Sequence, residues 1–82
     1  MEGKRKINAL NYRRIYFERT NLTQAEYVAD YMKRYGSITS DEAYEAFDCR
    51  RLAPAIFELR KEYDIKTIRS KSRGMAIYEF AD

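Results

Sequence analysis

The sequence has no histidine and no tryptophan, and it has only one cysteine, one proline and three glycines among its 82 residues. A single cysteine, Cys49, excludes a disulfide within the chain, which agrees with a reducing compartment. Because zinc sites use mostly cysteine and histidine, the composition also argues against structural zinc. The commonest general base is missing, and no nucleophile–base pair or phosphate-binding glycine loop is found. We therefore expect no enzyme activity, no metal and no other cofactor.

Long apolar runs are also missing. No stretch approaches the roughly 20 residues that a membrane helix needs. The basic residues 1–6 are not followed by an apolar stretch long enough for a signal peptide. We expect a cytoplasmic protein of one small domain, without a membrane partner.

Charge is unevenly spread along the chain, although the net charge is only +3. Residues 1–21 carry six basic and two acidic residues. Residues 22–48 carry two basic and six acidic residues, and residues 49–82 carry eight basic and five acidic residues. The middle is acidic and both ends are basic. Because basic surfaces attract phosphates, the pattern favours a polyanionic partner, and ordinary solvated charge is the alternative.

The first clear helix signal begins at residue 23. Thr23 and Glu26 form the Thr-x-x-Glu pattern of a capping box. Apolar residues then recur with helical spacing as far as Tyr35, and Gly36 supplies a C-terminal stop. The pattern predicts a helix over residues 23–35.

A second helix signal follows at once. Thr39 and Glu42 repeat the capping-box pattern, and the inward-facing apolar residues end at Phe47. We predict a short helix here, with residues 37–39 as a stub of strand before it.

A third helix is predicted after a tight break at Asp48 and Cys49. Its apolar stripe consists of Leu52, Ile56, Leu59 and Tyr63. Its opposite face carries Arg50, Pro54, Phe57 and Lys61. Because proline is tolerated only near a helix start, the helix is expected to span residues 50–63.

In the last segment the helical spacing of apolar residues gives way to a pattern typical of strands. Residues 65–69 and 75–80 are short and β-branched, and the polar turn 70–74 contains a glycine. The pattern predicts a β-hairpin. Its tip carries Lys71 and Arg73, and no acidic residue lies between the two strands.

Residues 1–21 fit neither period cleanly. Residues 14–19 could be a strand, or residues 7–19 a helix, and the first six residues are expected to be disordered. We treat the segment as a basic N-terminal arm, in which Arg13, Arg14 and Arg19 could follow a groove. Residues 22–82 are then the folded domain.

The order of these elements predicts an α+β fold, a winged helix-turn-helix with three helices plus a C-terminal β-hairpin wing. The motifs GSITSxEA at 36–43, RLA at 51–53 and IxELRK at 56–61 resemble a family of small helix-turn-helix proteins common in phages and prophages. The resemblance covers about residues 22–68. It implies this fold and DNA binding.

The chain departs from that family at two positions. Members often have a glycine in the turn before the third helix, where this chain has Asp48; aspartate tolerates the left-handed conformation, so we expect the turn to survive. Members also often have an arginine just before the Ile-x-x-Leu pair, where this chain has Ala55. A base or phosphate contact is therefore expected to be missing, which favours a protein partner.

In this architecture the third helix enters the major groove, led by its N-terminal residues. Arg50 and Arg51 stand there, and an arginine can make a paired hydrogen bond to guanine. Ion pairs with Asp48 or Glu58 are the alternative. Lys61, and less clearly Arg60, lie further along the helix and could contact phosphate. A solvated face with Glu58 and Glu62 as neighbours is the alternative for both.

The basic wing is expected to lie along the DNA backbone or in the minor groove, and a solubilised turn is the alternative. Phe57 has three interpretations: packing against the wing, contact with a thymine methyl, or part of a protein interface. The complete set of expected DNA-contacting residues is Arg50, Arg51, Pro54, Phe57, Lys61, Arg69, Lys71 and Arg73.

The preferred hypothesis is a duplex DNA-binding protein, a small phage or bacterial transcriptional regulator. The alternative is a phage-type inhibitor or adaptor that binds a host protein through the same surface. Eight tyrosines in this length, Tyr44 among them, cannot all be core, so a homodimer is also considered. Cys49 precedes a helix start beside two arginines, which could lower its pKa, but without a histidine a packed or idle thiol is the preferred interpretation.

Overall fold

The computed structural model describes residues 2–18, 21–69 and 76–81. Within these residues, four helices and three strands follow one another along the chain. They are α1 (Glu2–Glu18), α2 (Gln24–Tyr35), β1 (Ser37–Ile38), α3 (Ser40–Phe47), α4 (Leu52–Leu59), β2 (Ile65–Arg69) and β3 (Ala76–Phe80). The α+β class is confirmed, whereas the expected number of three helices is wrong.

The additional helix is α1. It extends from Glu2 to Glu18, so the strand alternative and the disorder expected for the first six residues are both wrong. Ala9 and Tyr12 are fully buried and Tyr16 is half-buried, with the spacing of one helical face. Tyrosine combines an apolar ring with a polar hydroxyl, and a face built from tyrosines therefore gives a weak signal in a sequence.

Phe47, at the end of α3, lies at the centre of an aromatic cluster. Its ring centroid lies 5.7 Å from those of Tyr12 and Tyr27 and 6.3 Å from those of Tyr16 and Tyr31. Aromatic pairs at such distances contribute about 0.5–1.5 kcal/mol each beyond their buried area. The cluster joins α1, α2 and α3 into one core, which accounts for most of the buried tyrosine. Tyr44, by contrast, is 50% exposed.

Two buried tyrosine hydroxyls have acidic partners. The Tyr12 hydroxyl donates to Asp30 at 2.8 Å, and Arg34 donates to the same carboxylate oxygen at 3.1 Å. The Tyr31 hydroxyl donates to the buried Glu42 at 2.9 Å. Since a buried polar group without a partner is costly, these bonds allow a core made of tyrosines.

Both predicted capping boxes are present. The Thr23 hydroxyl accepts from the Glu26 N–H, and the Glu26 carboxylate accepts from the Thr23 N–H at 2.8 Å. Thr39 and Glu42 make the same pair of bonds at the start of α3.

The two turns that follow these helices also agree with the sequence. Gly36 ends α2 in the left-handed region with φ 93°. Asp48 ends α3 in the same region, with φ 56° and ψ 28°, as expected for an aspartate in place of glycine. The chain therefore reverses into α4 without a glycine at this turn.

The three strands form an antiparallel sheet in the order β1-β3-β2. The β2–β3 hairpin runs from Ile65 opposite Phe80 to Arg69 opposite Ala76. β1 pairs Ser37 with Glu79 on the other side of β3. The hairpin is the predicted wing, and the helix-turn-helix of α3 and α4 precedes it in the chain.

Candidate nucleic-acid interface

α4 is shorter than the predicted helix 50–63. It begins at Leu52, with Arg51 as its N-cap, so that Pro54 stands in the first turn where proline is tolerated. It ends at Leu59 because the N–H groups of Lys61 and Glu62 bond to carbonyls three residues back rather than four.

One side of α4 faces the core. Its buried residues are Leu52, Ala55, Ile56 and Leu59. Ala55 is only 6% exposed, so the position where related sequences often have arginine does not contribute to the exposed side of this helix.

The other side of α4 is open to solvent, and we call it the presented face. Its residues are Arg50, Arg51, Ala53, Pro54, Phe57, Glu58 and Lys61, all of them exposed. Two cations lead this face, an apolar patch forms its middle, and an acid–base pair follows. Of the five predicted site residues in this region, Pro54 and Phe57 lie in α4, Arg51 is its N-cap, Arg50 precedes it and Lys61 follows it. All five are exposed.

Arg50 and Arg51 make no side-chain hydrogen bond or ion pair with any other described residue. The two acids considered as their partners are used elsewhere. Asp48 accepts from Arg13 at 3.1 and 3.3 Å. Glu58 pairs with Lys61 at 3.4 Å. The ion-pair alternative is therefore wrong for both acids.

The N-terminus of α4 also differs from those of α2 and α3. No side chain caps it, whereas both of the other helices begin with a complete capping box. Pro54 has no N–H, but the N–H groups of Leu52 and Ala53 remain as donors at the positive end of the helix dipole. Such an N-terminus is suited to an anion such as phosphate.

Phe57 is 66% exposed and therefore is not buried against the wing. The Lys61 ammonium lies 5.6 Å from the centroid of its ring, and the same ammonium pairs with Glu58. Both partners of that ion pair are about 60% exposed. An exposed pair of this kind contributes little, so Lys61 can exchange Glu58 for a phosphate at small cost.

The wing is described only in part. Arg69 is exposed at the end of β2, and Lys66 pairs with Glu79 of β3 at 3.2 Å. Lys66 is therefore partly neutralised across the hairpin. Lys71 and Arg73, which were expected at the wing tip, lie outside the described residues.

The sequence did not reveal the roles of two arginines. Arg60 donates from Nη2 to the Thr67 hydroxyl at 2.7 Å and from Nε to the Ile65 carbonyl at 3.3 Å, so it joins the end of α4 to β2. Arg13 of α1 donates to the Glu45 carbonyl at 2.8 Å as well as to Asp48. It therefore does not extend from a free arm. Sequence spacing does not predict these contacts, because each arginine and its partners lie in different parts of the fold.

The structure agrees with a packed thiol at Cys49. Its side chain is buried, with 5% of its surface exposed, and burial raises the pKa of the thiol. The Sγ donates to the Arg51 carbonyl.

Among residues 2–18, 21–69 and 76–81, no acidic, cysteine or histidine cluster of metal-binding geometry occurs. Within the same residues, no helix combines the length and the apolar character that crossing a membrane requires.

A family model described as a winged helix-turn-helix domain matches residues 23–82. The match includes every element from α2 to β3, and α1 precedes it. No match was found among curated proteins or among solved structures.

Proposed function

The chain belongs to the winged helix-turn-helix domain family, and from this membership we propose that it binds duplex DNA through the presented face of α4 and the basic wing. The observation that carries the proposal is the pair of exposed arginines, Arg50 and Arg51, at the uncapped start of α4. Neither has a partner among the described residues. Both are thus available to a ligand without breaking an existing contact.

α4 enters the major groove with its N-terminus first. Arg50 or Arg51 makes a paired hydrogen bond to the edge of guanine, worth about 1–3 kcal/mol of discrimination against other bases. The other arginine and the open N–H groups at the helix start bind phosphate, which fixes the position of the helix.

The middle of the presented face supplies apolar contacts. Pro54 and Phe57 are exposed side by side on successive turns of α4 and can contact thymine methyl groups. Lys61 leaves Glu58 for a phosphate further along the duplex. Glu58, once released, can accept a hydrogen bond from the amino group of cytosine.

The wing adds contacts that carry no sequence information. Arg69 at the end of β2, with Lys71 and Arg73 following in the chain, places positive charge on the DNA backbone. Together with the phage-family resemblance, this two-part interface favours a small phage or bacterial transcriptional regulator.

The proposal is tested by titrating a fluorescent duplex of randomised sequence at low salt and following its anisotropy. Binding should weaken with salt, with a log–log slope of about −0.9 for each phosphate contacted. Lys71→Ala with Arg73→Ala should reduce the slope and weaken binding to all sequences. Sequences selected by the unmodified protein should show a preference that Arg50→Ala with Arg51→Ala removes.

Lys33→Ala is the matched control, because Lys33 is an exposed cation of α2 that lies outside the presented face. It should leave the selected preference unchanged. Absence of duplex binding at low salt would refute the proposal, and so would a preference that survives loss of both Arg50 and Arg51.

The exposure of Phe57 favours a second candidate function. An exposed aromatic side chain beside an acid and a base is typical of protein interfaces. The chain would then be a phage-type inhibitor or adaptor that binds a host protein with the presented face. Capture of a single host protein that depends on Phe57, in a chain without duplex affinity, would select this function.

A further inference from the structure

α1 has an exposed apolar stripe on its outer side. Ile7, Leu10 and Phe17 are 57%, 49% and 64% exposed, and Arg14 is exposed between them. We call these four residues the outer stripe. At about 100° per residue they lie within about 80° of the helix circumference, on the side away from the buried residues of α1.

The spacing of the outer stripe is that of a helix-pairing seam. Its residues follow one another by three, four and three positions, which is the a/d spacing of a heptad repeat. The inner side of α1 is already packed on α3 and the aromatic cluster. A partner on the outer stripe therefore requires no opening of the core.

We propose that the outer stripe is a self-association surface, on which α1 of a second copy of this chain packs in the antiparallel direction. The stripe is self-complementary in that direction. Placing Ile7 against the second copy's Phe17 also places Leu10 against the second copy's Arg14, and the two-fold axis repeats both contacts. Three apolar side chains and one arginine stem then fill each half of one continuous seam.

The charges of α1 favour the antiparallel direction. Residues 2–6 contain three Lys/Arg and one acid, whereas the last turn of α1 contains Glu18 and no base. This is the reverse of what the dipole of a single helix prefers. In an antiparallel pair, Glu18 lies beside the positive N-terminal end of the second helix, so a charge that is unfavourable within one helix becomes favourable between two.

Arg14 sets the strength of the association. Its aliphatic stem can pack in the seam while its guanidinium reaches the solvent at the edge. A charged residue in the seam lowers stability and is typical of helix pairs whose register is specified. We therefore expect a dimer that dissociates on dilution.

Sedimentation equilibrium of the full chain without DNA tests the proposal, and its outcome does not depend on DNA binding. The unmodified chain should show a monomer–dimer equilibrium. Phe17→Ser should raise the dissociation constant at least tenfold. Phe57→Ser is the matched control, because Phe57 is equally exposed but lies on α4, and it should leave the dissociation constant unchanged.

Two further variants separate the dimer from any loss of folding. Arg14→Leu should lower the dissociation constant at least tenfold, a gain that misfolding cannot imitate. Glu18→Lys should raise it several-fold at low salt without lowering the melting temperature, because lysine suits the C-terminus of its own helix. In a parallel dimer, Glu18→Lys would only exchange one like-charge pair for another.

A chain that stays monomeric at every concentration would overturn the proposal and leave the outer stripe to a different partner. A dimer that Phe57→Ser weakens as much as Phe17→Ser does would also overturn it. A dimer insensitive to both Arg14→Leu and Glu18→Lys would place the interface elsewhere on the molecule.

Discussion

The hydroxyl of Tyr12 is a buried polar group whose contribution can be measured. It donates a hydrogen bond to Asp30, and the Tyr12 side chain has no exposed surface. Tyr12→Phe removes the donor and keeps the ring, so we expect a loss of about 1–3 kcal/mol in the free energy of unfolding, measured in urea. Tyr44→Phe, at a half-exposed site, should change it by less than about 0.5 kcal/mol.

The same hydroxyl gives a prediction about pH. Burial, and then the hydrogen bond to Asp30, raise the pKa of Tyr12 above its ordinary value. The unfolded chain therefore loses this proton first, near pH 10, and the contribution of Tyr12 is complete below that pH and declines above it. The stability difference between the unmodified chain and Tyr12→Phe should shrink when urea unfolding is repeated above about pH 10. A constant difference would contradict this.

Cys49 should behave as an inert thiol in the folded chain. It is 5% exposed and burial raises its pKa, and both effects suppress the thiolate that reacts. We expect a thiol reagent at pH 8 to modify the native chain at least tenfold more slowly than the chain in urea. Equal rates would show that the turn between α3 and α4 opens readily.

The sequence is a good guide to single residues where the chemistry is local. Thr23 and Thr39 cap helices through neighbours three positions away, and Asp48 takes a left-handed conformation that its own side chain tolerates. Arg13 and Arg60 are different, because their partners are chosen by how helices and strands meet. The exposed position of Phe57 was predictable from the helical period alone.

The junction of α4 with the wing depends on Arg60. Its guanidinium makes two bonds to β2, whereas Lys61, the next residue, pairs only with the exposed Glu58. Arg60→Ala should therefore lower the free energy of unfolding by about 1 kcal/mol and speed hydrogen exchange in β2. Lys61→Ala should leave both unchanged while weakening DNA binding. The reverse pattern would mean that Lys61 supports the fold and Arg60 the ligand.

Elements with a clear start signal were predictable, and others were not. The capping boxes predicted α2 and α3, and β-branched residues predicted the hairpin. α4 was predicted too long because Tyr63 continues the apolar stripe of the helix. In the structure Tyr63 lies beyond the helix, where its ring packs 5.3 Å from that of Phe80. A side chain in a turn after a helix can reach the core in the direction that a further helical residue would take. Hydrophobic periodicity therefore does not distinguish a longer helix from a helix followed by a turn.

The whole molecule depends on α1, although the family match begins after it. Deleting residues 1–20 would uncover Tyr27, Tyr31 and Phe47 and remove Tyr12 from their midst. Truncating one large buried side chain lowers the free energy of unfolding by about 3–5 kcal/mol. The whole free energy of unfolding of a domain is about 5–15 kcal/mol. We expect the shortened chain to lose its near-ultraviolet circular dichroism and its cooperative thermal transition.

A less severe variant checks this expectation. Tyr12→Ala should remove about 3–5 kcal/mol while keeping every other part of α1. A shortened chain that melts cooperatively at the temperature of the full chain would show that α1 is an accessory to an independent domain.

Arg13 gives α1 an influence on the turn before α4. One guanidinium holds both the Glu45 carbonyl and the Asp48 carboxylate, and Asp48 is the left-handed residue at which the chain reverses. Arg13 of α1 therefore contacts the turn at which the chain passes from α3 to α4. If binding on the outer side of α1 or binding of DNA moves this guanidinium, the two binding events are thermodynamically linked. Each event then changes the affinity of the other by the same factor.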